Sequence, residues 1–191
     1  MYYALYCDFP RSPTDGYLDI DDGIDIEGVE SWSSGQRFAA PPRAPIVVTC
    51  TPEGEAEGPP REMHDANLLL MSDRLVAALR GAGVDNIDTY PATLVHAQTG
   101  ERWPYQAVNI IGLVRAADLG KSVWTNHDGE ALFDTSFESL AVDERAARGQ
   151  LLFRLAENTG TILAHERVRD HIIASGIDTI RFIEPENWVR I

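Results

Sequence analysis

Residues 70–87, LMSDRLVAALRGAGVDNI, and residues 163–180, LAHERVRDHIIASGIDTI, match at a constant offset of 93 residues. Leu70, Arg74, Gly83, Asp85 and Ile87 coincide with Leu163, Arg167, Gly176, Asp178 and Ile180, while Asp73, Leu75, Leu79 and Val84 meet Glu166, Val168, Ile172 and Ile177. Each copy has the grammar of a helix followed by a strand. An acid and an arginine stand in the first turn, apolar residues recur four apart, and a glycine that can end a helix precedes an apolar run. Ser72 can cap the first helix, since its hydroxyl accepts an N–H that the opening turn leaves unpaired. That helix carries Leu75, Val76 and Leu79 on one side and closes at Gly81 and Gly83. The second spans residues 166–174 and leads past Gly176. We expect a duplicated helix–turn–strand unit, the alternative being convergence on a common grammar.

Around these helices the chain reads as strands. Residues 2–7 are aromatic and apolar and end at Pro10; residues 46–49 follow Pro41, Pro42 and Pro45; residues 51–61 form a loop rich in Pro, Gly and Glu. Residues 87–96 and 106–114 look like paired strands about a turn near Thr99 and Gly100. Residues 151–156 and 161–164 flank Glu157-Asn158-Thr159-Gly160, a hairpin signal, and residues 179–183 make a last strand. The expected fold is α+β, a mixed or mainly antiparallel sheet with two principal helices. With 191 residues, 44% hydrophobic and 24% charged, the chain suits one domain with a substantial core.

Charge is distributed unevenly. Residues 1–65 hold 13 acids against 4 bases, and residues 15–30 hold seven acids (Asp15, Asp19, Asp21, Asp22, Asp25, Glu27, Glu30) and no base, in a chain of net charge −14. A field of one sign attracts cationic surfaces and repels nucleic acid and anionic lipid. Asp19, Asp21, Asp22, Asp25, Glu27, Glu30 and the neighbouring Trp32 are therefore the candidate partner-binding residues. The plainer reading is a solvated segment. Alternation at Leu18, Ile20, Ile24 and Ile26 hints at an edge strand. The tryptophans, Trp32, Trp103, Trp124 and Trp188, are dispersed, with core packing their default role and an interface role next.

Chemical motifs are sparse. The string from Asp19 to Glu30 spans the twelve positions of a calcium-binding EF-hand loop, but Gly23 falls at the fifth, where that loop needs an oxygen ligand. His165 and His171 are six apart, which turns a helix by about 600° and points the two imidazoles to different sides. They read as a capping and a surface histidine. Neither a Gly-x-Ser-x-Gly elbow nor a phosphate-binding glycine loop occurs in the sequence. No cofactor is expected. Carboxylate-based or metal-assisted hydrolysis centred on residues 19–30 and a calcium-dependent interaction module remain as alternative readings. Cys7 and Cys50 read as buried thiols, with a disulfide as the alternative. No apolar run approaches the roughly 20 residues of a membrane helix, and the opening residues lack the pattern of a secretory leader, so a cytoplasmic location is expected.

Two stretches carry a family resemblance. Tyr105-Gln106-Ala107-Val108-Asn109-Ile110-Ile111-Gly112, with Asp118, Lys121 and Ser122 beyond it, is one. The other is Leu152-Phe153-Arg154-Leu155, continuing through Ile162, Glu166, Arg167 and Gly176 to Phe182. Together with Trp32 and Gly35 they resemble a bacterial polymorphic-toxin immunity family, formerly a domain of unknown function, represented in myxobacteria. The resemblance covers most of residues 70–185, while residues 10–65 diverge. It implies a non-enzymatic protein that binds and neutralises a cognate toxin, with the contacts in the divergent part. It supplies no catalytic residues, and Tyr105, Asn109 and Arg154 are read as structural, Asn109 satisfying local backbone groups.

Overall fold

A computed structural model describes residues 1–7, 17–20, 24–43, 45–53 and 60–188. In chain order the elements are β1 (Tyr2–Cys7), β2 (Tyr17–Ile20), β3 (Ile46–Glu53), β4 (Met63–Asp65), β5 (Leu69–Ser72), α1 (Asp73–Gly81), β6 (Ile87–His96), β7 (Arg102–Ile110), β8 (Leu113–Val114), β9 (Val123–Thr125), β10 (Ser136–Ser139), β11 (Leu152–Leu155), β12 (Asn158–His165), α2 (Glu166–Ala174) and β13 (Ile180–Ile183), with a 3-10 turn at Pro185–Asn187. The fold is α+β. Among the described residues no helix is long and apolar enough to cross a membrane.

Both copies of the duplicated stretch are a helix followed by a strand, and their ends are made alike. Ser72 Oγ accepts the Leu75 N–H at 3.1 Å, and at the equivalent position His165 Nδ1 accepts the Arg167 N–H at 3.2 Å. Gly83 (φ +97°) and Gly176 (φ +72°) carry the chain out in the left-handed conformation that other residues rarely adopt. The likeness extends to sheet topology. One sheet has the order β2-β3-β6-β7-β5-β4, another β13-β1-β12-β11-β8, and β9 and β10 form a separate pair. β5 and β6, joined by α1, run parallel with antiparallel β7 between them; β12 and β13, joined by α2, run parallel with antiparallel β1 between them. Register agrees as well. Leu70, Met71 and Ser72 face Ala107, Gln106 and Tyr105, while Leu163, Ala164 and His165 face Ala4, Tyr3 and Tyr2. Ile87 faces Ile110, and Ile180 faces Cys7. The outer neighbours match too, His64 opposite Leu70 and Phe153 opposite Leu163. The repeated unit is thus a four-stranded sheet with one helix. Its first copy is continuous from β4 to β7, whereas its second takes its inner strand from the start of the chain.

The copies pack helix against helix. Arg74, bound to Glu62 at 2.6 Å, also feels the carboxylate of Asp178 in the other copy. Arg167 lies so close to Gly83 that a Cβ there would sit 3.1 Å from Nη2, whereas nothing stands within 4 Å of a Cβ at the equivalent Gly176. Arg74, Arg167, Gly83 and Asp178 all belong to the positions identical between the copies.

Leu75, Leu79, Val168 and Ile172 from the helices share one core with Leu5, Val108, Ile110 and Ala164 from the sheets. Alternation along each strand leaves a second apolar face on each sheet. On one, Leu18, Ile46, Val48 and Leu94 are covered by Trp32 and its loop; on the other, Tyr2, Phe153 and Leu155 are covered by Ala116, Phe137 and Leu140. Each roof lies outside the repeat.

Several boundaries differ from the sequence reading. Residues 51–53 continue β3 instead of opening a loop, and the rest of that expected loop up to residue 59 lies outside the described residues. The strand expected over 106–114 begins at Arg102 and ends at Ile110; Gly112 (φ +113°) turns the chain, and β8 pairs in the other sheet, parallel to β11. The hairpin turn is Ala156-Glu157, and Asn158, Thr159 and Gly160 already belong to β12. β2 forms the expected edge strand, but Ile24 and Ile26 follow it as non-strand residues packed on the core. Cys7 and Cys50 are separate buried thiols, not a disulfide.

Candidate functional site

A cleft of about 670 Å³ opens where residues 24–33, the β4–β5 corner, residues 133–134 and the start of β12 converge. Its first wall follows from burial within an acidic segment. Ile24, Ile26 and Val29 pack against the core beside Trp32, a tight turn closes with Val29 N–H on the Ile26 carbonyl at 3.0 Å, and Asp25, Glu27 and Glu30 are left exposed. The loop is anchored downstream. Asn109 Nδ2 donates to the Gln36 carbonyl at 2.8 Å, and Gly112 N–H to the Gly35 carbonyl at 2.8 Å. Asn109 therefore serves a backbone group 73 residues away, not a local one.

The opposite wall carries Phe133 and Asp134. Phe133 is 67% exposed, although its carbonyl accepts the Thr159 N–H at 3.2 Å. Asp134 accepts from Asn126 Nδ2 at 2.9 Å. Arg154 forms the floor, only 2% exposed. Its Nη1 donates to the Thr159 carbonyl at 2.8 Å and its Nη2 lies 3.3 Å from Asp65 Oδ1, but Nε has no acceptor. A buried donor left unmatched costs about 1–3 kcal/mol, which an acceptor brought into contact would relieve. The lining holds four carboxylates, Asp25, Glu30, Asp65 and Asp134, against one guanidinium. A cleft so charged, with an aromatic ring at its lip, can receive a cationic group.

The candidate residues disperse in the structure. Asp25 and Glu30 line the cleft, and neither makes an ion pair among the described residues. Glu27 instead meets Arg43 at 3.2 Å, an exposed contact of little energetic weight. Asp19 Oδ1 accepts the Ile20 N–H at 2.9 Å and lies 3.9 Å from Arg61. Asp15, Asp21 and Asp22 lie outside the described residues. Trp32 is a core residue rather than an exposed contact, its ring edge-on to Phe38 at 4.9 Å, and it reaches the cleft only as inner lining. Asp65, Phe133, Asp134 and Arg154 are absent from the sequence-level candidates. They come from distant segments and share no local pattern, so only the folded chain assembles them.

A second polar cluster is closed to solvent. His64 is 2% exposed, neither ring nitrogen has a hydrogen-bond partner, and Nδ1 lies 3.8 Å from Asp19 Oδ1, beyond bonding distance. Desolvation first, then the Arg61 charge, pushes its pKa down to about 4, with Asp19 opposing. Burial raises the pKa of the neighbouring Tyr105, whose hydroxyl donates to the Arg61 carbonyl at 2.6 Å, and of the Cys7 thiol. Glu157 is also buried and its carboxyl is raised by desolvation, although backbone N–H groups at Glu157, Ala117 and Ala116 pull the other way. None of these groups lines the cleft.

His165 and His171 border one shallow groove with Gly81 and Arg167 instead of facing different sides. His165 is the cap, outside the helical rotation that separates residues within α2. Among the described residues no three His, Cys, Asp or Glu side chains group to hold a metal ion. The chain matches no protein-family model and no curated protein.

Proposed function

We propose that this protein is a non-enzymatic immunity protein that binds a cognate bacterial toxin and neutralises it by occlusion. The observation that carries the reading is the cleft, four carboxylates and an exposed phenylalanine set against one buried arginine. Complementary potential speeds encounter with a basic partner, and an aromatic side chain at the lip supplies the desolvated anchor that binding sites favour. The resemblance of residues 105–112 and 152–182 to immunity proteins supports the same class. Co-expression with the C-terminal domain of a toxin encoded beside this gene tests it. Rescue of a sensitive host, with co-purification of the two chains, is the expected result; unchanged killing without co-purification refutes it.

A further inference from the structure

We propose that the cleft is a receptacle for a single arginine side chain presented by a polypeptide segment of the partner, with Phe133 as the apolar contact beside it. The inference rests on the immunity reading for the partner's identity, but not for the chemistry of the cleft. Asp25 and Glu30 project from one wall without ion-pair partners among the described residues, and Asp134 stands on the other. Phe133, mostly exposed at the lip, can take a guanidinium over its ring face, and a planar cation is better suited to that than a compact ammonium. The floor gives an independent sign of a ligand. Arg154 is buried, lines the same cleft and keeps Nε without an acceptor, so a donor waits beside a set of acceptors. A simple metal cation would leave that donor unmet. A peptide brings both requirements at once, a cationic side chain for the carboxylates and a backbone carbonyl for the guanidinium.

Two arms test this. In the first, acetyl-Gly-Leu-Arg-Gly amide and its neutral citrulline counterpart are titrated into the full isotope-labelled chain by NMR. Saturable shifts at Ser31, Ala66, Asn158 and Gly160 are expected from the arginine peptide, with affinity about ten-fold weaker for citrulline and, for the arginine peptide, about ten-fold weaker when Asp25→Asn and Glu30→Gln are combined. The control pair Asp128→Asn and Glu130→Gln, which lies outside the cleft, should change nothing. Shifts spread over the acidic surface without saturation, equal binding of citrulline, or spermidine binding as well as the arginine peptide would each overturn the proposal. In the second arm, Asp25→Asn, Glu30→Gln and Phe133→Ala are combined in the neighbouring-toxin rescue assay, after thermal unfolding has established that the variant is folded. Loss of rescue supports the cleft. Full rescue by both wild type and variant overturns the cleft while leaving the immunity reading intact; failure of the wild type refutes that reading, and the peptide arm alone then decides the cleft.

Discussion

His64 offers a test in which the structure sets both sign and size. It is buried on β4 among Asp19 of β2, Arg61 and Tyr105 of β7, and desolvation followed by Arg61 lowers its pKa from 6.5 to about 4. Below the unfolded value the unfolded chain takes up a proton that the native chain refuses. The neutral native imidazole is therefore fully tolerated above about pH 6.5, and stability drains away as the pH falls toward the folded value. At about 1.4 kcal/mol per unit the whole effect is about 3 kcal/mol, of which about 2 is lost between about pH 7 and about pH 5. His64→Leu removes the titration together with two buried nitrogens that have no partners. The position accepts an apolar residue in principle, since its counterpart in the second copy is the buried Phe153. Urea unfolding of both proteins across this range, followed by tryptophan fluorescence, should give curves separated by a constant offset above about pH 7 and by a changing one below it, the wild type losing about 2 kcal/mol more as pH falls to about 5. Other titrating groups, Glu157 included, are common to both chains and cancel in the difference. Parallel curves would refute the desolvation argument.

Three further outcomes follow from single contacts. Asp65→Asn removes the carboxylate paired with the buried Arg154 guanidinium; a loss of about 2 kcal/mol is expected in chemical denaturation, below the usual buried-pair range because the Asp65 side chain is 23% exposed. Gly35→Ala puts a Cβ 2.8 Å from both the Leu113 side chain and its backbone nitrogen at φ +68°, so unfolding should become easier by at least about 1–3 kcal/mol, with amide exchange accelerated first in residues 24–36. Ser72→Ala deletes the cap of α1 together with the hydroxyl's bond to the Glu62 carboxylate and should cost at least about 1 kcal/mol of stability in thermal or urea unfolding, with Ser72→Asn restoring the cap alone.

The helices were legible because their signals are local. Caps at Ser72 and His165, stripes four residues apart and left-handed glycines all lie within a few residues of the ends they define. Strand ends were less legible because partners elsewhere decide them. Pro104 argues against a strand interior, yet β5 stops pairing with β7 at Tyr105, so on that side no neighbour stands where the missing N–H would fall. Residues 113 and 114 continue an apolar run that looks like one strand, and only the Gly112 turn and the parallel edge offered by β11 move them to the other sheet. The acidic bias of residues 15–30 located one wall of the cleft through Asp25 and Glu30. It could not distinguish them from Asp19 and Glu27, which neighbouring arginines approach, because those arginines lie 42 and 16 residues away.

At the cleft, equivalent positions of the two copies meet. Asp65 faces Leu69 one residue beyond His64, and Arg154 faces Ile162 one residue beyond Phe153, so they hold equivalent places in the two copies. They meet each other at 3.3 Å. A symmetric scaffold would place like side chains there, and like charges would repel. Here one copy carries an acid and the other a base, so the seam closes as an ion pair, with Arg154 Nε left without an acceptor. The residues that give the cleft its sign and its aromatic lip, Asp25, Glu30, Phe133 and Asp134, all come from the two roofing segments that the repeat does not contain. The helices and paired strands share the buried core, and the proposed recognition falls to the roofs. Substitutions at exposed roof positions can therefore alter what the cleft accepts while the duplicated frame beneath keeps its register.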